Sequence, residues 1–221
     1  MGNFVADIFQ EVDEEVRRER LRQIWERYAT YIIAAMVVLV LGIGGYRAYQ
    51  WWEAKKAAET GARYETAISL LTEGKTAEGE AALNRIASEG TAGYRALARL
   101  REAAALGSRD APAAVKIYEN VASDGSVPGL LQDLARVRAA LLLMDTASLP
   151  ELRAQLDVAT GPNRPFRHTA RELLAFSAWR AGDAAAAKQW TDMIIADNAT
   201  PAATRQRVDV LLAISNPVAK S

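Results

Sequence analysis

The sequence of 221 residues contains no cysteine and a single histidine, His168. The absence of cysteine excludes disulfide bonds and metal sites built on thiolates. Catalysis or metal binding by His168 would need a neighbouring nucleophile or a second ligand, and the sequence around it supplies neither. We therefore expect a surface or capping role for His168, no enzymatic activity, and no bound metal or cofactor.

An excess of charge of either sign is also lacking. The chain has 27 basic and 27 acidic residues, and residues 53–221 alone carry 21 and 20. A nucleic-acid-binding domain usually shows a basic excess, so no nucleic-acid partner is expected. Gly74-Lys75-Thr76 imitates the end of a phosphate-binding loop, but Ser69 stands where that loop needs glycine and no strand precedes it. We interpret this tripeptide as a turn between helices.

One long apolar run is present. Residues 28–46 hold nineteen positions without a charge, which as a helix span roughly 28 Å, close to the bilayer hydrocarbon thickness of about 30 Å. Flanking aromatic side chains favour the headgroup level, and the candidate membrane-interface anchors are Trp25, Tyr28, Tyr46, Trp51 and Trp52. The long acidic leader disfavours a cleaved signal peptide. The run predicts a transmembrane anchor over 28–49; the alternative is a buried helix of a soluble protein.

The segment before the run, residues 1–27, is charged, and apolar residues recur along it at helical spacing, namely Val5, Ile8, Phe9, Val12 and Val16. An interfacial tail and a helix that docks on a cytosolic partner both fit this stripe. Five Lys or Arg residues precede the apolar run and four follow it closely. This weak bias predicts that the N-terminus is cytoplasmic and that the C-terminal domain lies on the other side.

After the run the chain is rich in Ala and Leu, with no convincing strand. Gly, Pro, Asp and Ser separate nine predicted helical segments: 54–73, 76–88, 92–106, 112–123, 128–144, 149–159, 166–181, 184–196 and 201–215. Four turns, at Gly74, Gly107, Asp145 and Gly182, recur at spacings near the period of about 34 residues that is typical of tetratricopeptide repeats. The fold class predicted is all-α: one transmembrane helix, then a tetratricopeptide-like α-solenoid of about four helix pairs over 50–200, then a capping helix and tail over 201–221. A non-repetitive helical bundle is the alternative.

The order of these parts resembles one bacterial envelope family. An acidic-then-arginine leader with Glu14-Glu15-x-Arg17, one span, an aromatic rim and degenerate repeats are similar to the ancillary SecYEG translocon subunit family, and the most specific stretch runs from Glu11 to Ala67. The resemblance implies a single-pass protein of the bacterial inner membrane with a periplasmic repeat domain. Its implied partners are the Sec translocon and periplasmic chaperones, in protein export or folding.

In stacked repeats the first helix of each pair lines a concave face that serves for binding. Counting back from the turns places eight candidate groove residues there: Tyr64, Ile68, Tyr94, Leu97, Arg101, Phe176, Trp179 and Arg180. Aromatic and arginine side chains are strong anchors for protein partners, although packing between repeats is the alternative for each. The sequence thus predicts a membrane-tethered protein-interaction scaffold in contact with lipid through residues 28–46. A tethered adaptor for cell-envelope or cell-division machinery, without an export role, is the alternative.

Overall fold

The computed structural model describes the backbone of residues 3–215, and the side chains of residue 22 and residues 25–214. Within this range the chain forms helices and turns only: α1 Asn3–Thr72, α2 Thr76–Glu89, α3 Ala92–Leu106, α4 Ala111–Ser123, α5 Gly129–Leu143, α6 Leu149–Leu156, a 3-10 turn Asp157–Thr160, α7 Arg167–Arg180, α8 Ala184–Ala196 and α9 Ala202–Ser215. The all-α prediction is confirmed. Backbone contacts divide the chain into two units, Met1–Lys56 and Ala57–Ser221, and α1 contributes residues to both.

The first unit holds the long apolar part of α1. An 18-residue window there has a mean hydropathy of 2.0, and none of it is buried. By length and composition α1 is a candidate membrane span. The five predicted interface anchors are all exposed, from 48% at Tyr28 to 67% at Trp51. The side chains of the apolar stripe predicted near the N-terminus lie outside the described residues.

In the second unit the helices follow one another as antiparallel partners at the predicted positions. Residues 57–72 of α1 precede α2, and the pairs α3–α4, α5–α6 and α7–α8 are followed by α9. Each observed end lies within two residues of its predicted position, apart from the start of α1 and the end of α6. The predicted start at residue 54 is wrong, because α1 runs without a break from Asn3 to Thr72. Helix α6 was expected to continue to residue 159 but tightens into the 3-10 turn, where the Thr160 hydroxyl donates to the Asp157 carbonyl at 2.7 Å.

Two of the four turns need glycine for a backbone reason. Gly74 and Gly182 have φ of 80° and 73°, the left-handed region that side chains disfavour. At the first turn the Lys75 amide donates to the Leu70 carbonyl and the Gly74 amide to the Leu71 carbonyl. The same pair of bonds recurs after α7, at Gly182. This pattern satisfies the last carbonyls of a helix and reverses the chain into the next one.

The core of the second unit consists of three groups of buried side chains, which lie between consecutive helices along the chain. Small residues permit the close approach that the repeat pattern requires, since Ala67 and Ala175 are fully buried. Leu83, Leu174 and Ile194 fill the space between the helices and are at most 1% exposed.

Charged residues cross-link the C-terminal helices inside the second unit. Asp197, which follows α8, accepts a hydrogen bond from Arg167 Nε at 2.7 Å and lies 3.3 Å from Arg171 Nη1. The bond from Arg167, helped by one from the Ala199 amide, holds the pKa of the Asp197 carboxyl well below its usual range. A second ion pair joins Glu172 of α7 to Arg207 of α9, with 2.5 Å between Oε1 and Nε. α7, α8 and α9 are therefore joined by ion pairs as well as by apolar packing.

The tight contact at Gly79 gives a stability prediction. A Cβ at this position would lie 2.7 Å from Leu71 Cγ and 3.2 Å from the Ala67 carbonyl oxygen. Gly79→Ala should therefore destabilise the second unit by about 1–3 kcal/mol through overpacking, even though alanine favours helices. Urea unfolding of the full chain in detergent, followed by circular dichroism, measures the change.

Gly93→Ala is the matched control, because Gly93 is also helical and a Cβ there meets nothing within 4 Å. We expect it to leave stability unchanged or to raise it by up to about 1 kcal/mol. Equal urea midpoints for the two variants would show that a methyl group at position 79 fits without overpacking.

Candidate partner-binding surface

Five of the eight candidate groove residues lie together on α1 and α3. Tyr64 and Tyr94 form a tilted aromatic pair with ring centres 5.9 Å apart and planes at 50°. Along α3, Tyr94, Leu97 and Arg101 follow at spacings of three and four, so they share one face of the helix. We call this set the tyrosine patch, consisting of Tyr64, Ile68, Tyr94, Leu97 and Arg101.

The tyrosine patch combines half-buried rings with one exposed cation. Tyr64, Ile68, Tyr94 and Leu97 are half-buried, whereas Arg101 is exposed. Burial raises the pKa of the Tyr64 phenol, and the Arg101 guanidinium partly offsets this effect. The phenol is therefore neutral at pH 7 and able to donate a hydrogen bond. Among the described ion pairs none involves Arg101.

Gly61 is a member of this surface that the sequence did not reveal. A Cβ on Gly61 would lie 2.5 Å from the Tyr94 hydroxyl oxygen. The absence of a side chain therefore lets the Tyr94 phenol rest against the backbone of α1, where it also meets Tyr64. A glycine in the middle of a predicted helix was the available signal, because it costs helix stability unless another group needs the space.

The other three candidates lie on α7, two repeats further along. Phe176 is half-buried and packs on the core between α5 and α9. Trp179 is 43% exposed and lines a cavity of about 550 Å³ with residues of α8 and α9. The Arg180 guanidinium donates to the carbonyls of Met144 and Ala147, just beyond the end of α5. These residues thus make a second surface that is separate from the tyrosine patch.

The helices of the second unit follow one another in pairs, and small residues are buried where these helices meet. Residues 22–189, more than half of the chain, match the family of tetratricopeptide repeat-like domains. The chain belongs to this family. Tetratricopeptide-like domains are typically non-enzymatic modules for protein interaction, so this part of the predicted function is supported at the level of the family. No curated protein and no solved structure matches the chain.

Within this tetratricopeptide-like domain, His168 lies on α7 next to the Asp197 cluster. The Thr200 hydroxyl donates to the Ile194 carbonyl at 2.7 Å, so its oxygen accepts from His168 Nδ1 at 3.0 Å. Of the predicted surface or capping role, the surface alternative is wrong, because only 12% of the imidazole side chain is exposed. Burial and the neighbouring arginines lower the pKa of His168. The His168 imidazole is therefore neutral, and its hydrogen bond to Thr200 joins α7 to the segment after α8. This role is structural.

The Gly74-Lys75-Thr76 sequence joins α1 to α2, which confirms the predicted turn. Gly74 has the left-handed conformation described above, and Lys75 pairs with Glu73 at 2.9 Å. A helix precedes this turn, whereas a phosphate-binding loop follows a strand. Within the described side chains, no group of three or more His, Asp or Glu is placed to hold a metal ion.

Proposed function

We propose that the chain is a membrane-anchored periplasmic scaffold that binds protein partners through the tyrosine patch. Membership of the tetratricopeptide-like family carries this proposal, together with the exposed apolar stretch of α1. The proposed organisation is a cytoplasmic segment 1–27, an anchor 28–49, a repeat domain 50–200 and a capping helix with its tail 201–221. The remaining candidates on α7, Phe176, Trp179 and Arg180, contribute packing and a second surface.

Tethering explains how a small patch is sufficient for function. The patch offers two aromatic rings, two aliphatic side chains and one cation, which alone support modest affinity. Anchoring to the membrane turns an encounter with an integral membrane partner into a nearly intramolecular one. Effective concentrations then reach the millimolar range for short flexible connections. Weak contacts are therefore occupied in the membrane but are lost in dilute solution.

For the partners we propose components of the Sec translocon and periplasmic chaperones, acting in protein export or folding. The resemblance of the stretch from Glu11 to Ala67 to the ancillary SecYEG subunit family supports this identity, and so does the tetratricopeptide-like domain that follows. The inner membrane and the N-in orientation belong to the same proposal. A reporter that is active only outside the cytoplasm, fused after Ser221, should be active; a silent reporter would overturn the orientation.

Site-specific photocrosslinking tests the binding surface. Ala104 is exposed one turn after Arg101 on the same face of α3. A photoreactive residue at 104, in the full chain in native membranes, should capture translocon or chaperone components. R101A should reduce this capture by about five- to thirtyfold, as for the loss of 1–2 kcal/mol at an interface anchor.

Lys116 is the control position, because it is exposed on α4, away from the tyrosine patch. A photoreactive residue there should capture the same proteins much less efficiently. Equal yields from positions 104 and 116, or yields at 104 that R101A leaves unchanged, would exclude the tyrosine patch as the binding surface. Capture of cell-wall or division proteins instead would identify a tethered envelope adaptor without an export role.

A further inference from the structure

Helix α5 turns apolar side chains to the outside. Its exposed residues are Gly129, Leu130, Arg138 and Leu141, so only one of them is polar. Leu130 and Leu141 are 53% and 46% exposed, and Leu134, between them, is half-buried. Since successive residues of a helix are about 100° apart, the three leucines lie within about 40° of one another. We call Leu130, Leu134 and Leu141 the leucine face, which extends over about 16 Å of the helix.

Arg138 borders the leucine face on the side that is turned towards α3. It is exposed and follows Leu134 by one helical turn. On that side of α5, Leu131 and Leu142 pack in the same core group as Leu100 of α3. Around the helix, Arg138 lies between these two residues and the leucine face. The guanidinium therefore lies near the seam where α5 meets α3.

The same arrangement occurs one repeat earlier, on α3. Leu97 and Arg101 occupy there the positions that Leu134 and Arg138 hold on α5. Burial raises the pKa of the Tyr64 phenol of α1, and Arg101 is close enough to offset part of this effect. Like its counterpart on α5, Arg101 is thus turned towards the preceding repeat. Because α3 and α5 are in direct contact, the leucine face continues the tyrosine patch onto the next repeat.

The acidic side chains of α3, α4, α5 and α7 are directed elsewhere. Asp133 of α5 is fully buried in ion pairs, and Glu172 of α7 is paired with an arginine of α9. Glu102 of α3 and Glu119 of α4 line cavities with residues of α2 and α6 respectively. Glu65 is exposed, but it lies on α1, one repeat before α3. The charge beside the leucine face is therefore positive.

We propose that the leucine face and Arg138 bind an amphipathic helix of a partner protein, with its apolar stripe on the leucines and acidic residues beside the stripe. The inference rests on the protein-binding role of the proposed function and names the chemistry of the partner. An amphipathic helix presents apolar side chains at spacings of three and four, and about three of its turns match the length of the leucine face. An extended segment turns every second side chain away from such a surface. Carboxylates at the border of the stripe pair with Arg138 and, across the seam, with Arg101.

The test measures the binding of two synthetic helical peptides to the full chain in phosphatidylcholine nanodiscs. Both peptides have about 18 residues, long enough for a stable helix. They share one leucine stripe, which is bordered by glutamate in the first peptide and by lysine in the second. Fluorescence anisotropy gives the affinities, and empty nanodiscs give the binding to lipid alone. The chain should bind the acidic peptide about tenfold or more tightly than the basic one, because Arg138 attracts the first and repels the second.

Two variants separate the apolar and the ionic contributions. L130Q/L141Q should weaken binding of the acidic peptide about tenfold or more, since the burial of two half-exposed leucines is lost. R138E should abolish the preference for the acidic peptide. V210Q/I214Q is the matched control, because Val210 and Ile214 are 57% and 54% exposed on α9. It should bind the acidic peptide as the native chain does.

Equal affinities of the native chain for the two peptides, or an affinity that L130Q/L141Q leaves unchanged, would overturn the leucine face as a docking site. If capture from position 104 still depends on Arg101 in that case, the scaffold proposal stands without the leucine face. Equally tight binding of an acidic peptide in which central prolines prevent helix formation would overturn the helical form of the partner.

Discussion

Asp197→Ala is expected to lower the free energy of unfolding by about 3 kcal/mol. The substitution leaves Arg171, which is 5% exposed, and Arg167 without their carboxylate partner. Removing one partner of a buried ion pair costs about 3–5 kcal/mol, and the 20% exposure of the Asp197 side chain places the effect at the lower end. The amide of Ala199 also loses its acceptor. The urea midpoint of the full chain in detergent measures the loss.

Asp192→Ala is the matched control in the preceding helix. Asp192 pairs with Lys188 at 2.7 Å, but both side chains are more than half exposed. Such pairs contribute 1 kcal/mol or less, so this variant should behave almost as the native chain. Similar losses from D197A and D192A would mean that burial does not distinguish the two pairs.

The pH dependence provides an independent check on Asp197. Its pKa is depressed in the folded state, so the unfolded chain binds the proton more readily. The stabilisation is therefore fully present above the unfolded pKa of about 3.9 and is lost as the pH falls towards the folded pKa. The difference between the native chain and D197A should shrink steadily below about pH 4. A difference that persists unchanged at low pH would contradict the ionic origin of the effect.

The helices were predictable from sequence because their ends carry local signals. Gly74 and Gly182 adopt the left-handed conformation that ends a helix, and Asp110 and Asp183 cap the next helices by accepting from backbone amides. Pro150 is the second residue of α6, which follows a capping box formed by Ser148 and Glu151. Each signal acts within four residues, so it can be recognised without knowledge of the rest of the fold.

The third turn shows why local signals were not sufficient everywhere. The turn after α5 has Asp145 where the repeat pattern wants glycine, and the described residues there have no left-handed backbone. Arg180, from the following repeat, instead donates to the carbonyls of Met144 and Ala147. A side chain 33 or more residues away thus binds two carbonyls of this turn. Sequence spacing placed Arg180 in the groove because it does not reveal such distant partners.

The candidate partner-binding surface was also predicted only in part. Helical spacing correctly placed Tyr94, Leu97 and Arg101 on one face of α3. It did not reveal that Gly61 makes room for Tyr94, or that His168 joins the Asp197 cluster, because both contacts bridge about thirty residues. Periodicity identifies the face of a helix, whereas the partner on that face depends on how the repeats stack. Whether the eight candidates bind a partner stays a prediction.

Two arginines in the middle of the apolar run, V38R/L41R, are expected to release the full chain from membranes. Eight Leu, Ile and Val residues in the run favour insertion by about 0.3–0.6 kcal/mol each, and an arginine at the centre opposes it by about 3 kcal/mol. Two arginines therefore more than cancel the gain. Val38 and Leu41 are 70% and 69% exposed, so packing in the described structure is not disturbed. Alkaline carbonate extraction of membranes, with immunodetection of pellet and supernatant, measures the release.

The control for this release places the same charges on the repeat domain. Leu130 and Leu141 are exposed on α5, at 53% and 46%, so L130R/L141R should remain in the pellet with the native chain. Retention of V38R/L41R would show that something other than the apolar run holds the chain. Extraction of the native chain by carbonate would remove the anchor, and the argument that weak contacts at the tyrosine patch suffice would fail with it. The strength of binding needed from Arg101 and its neighbours thus depends on how firmly residues 28–46 hold the membrane.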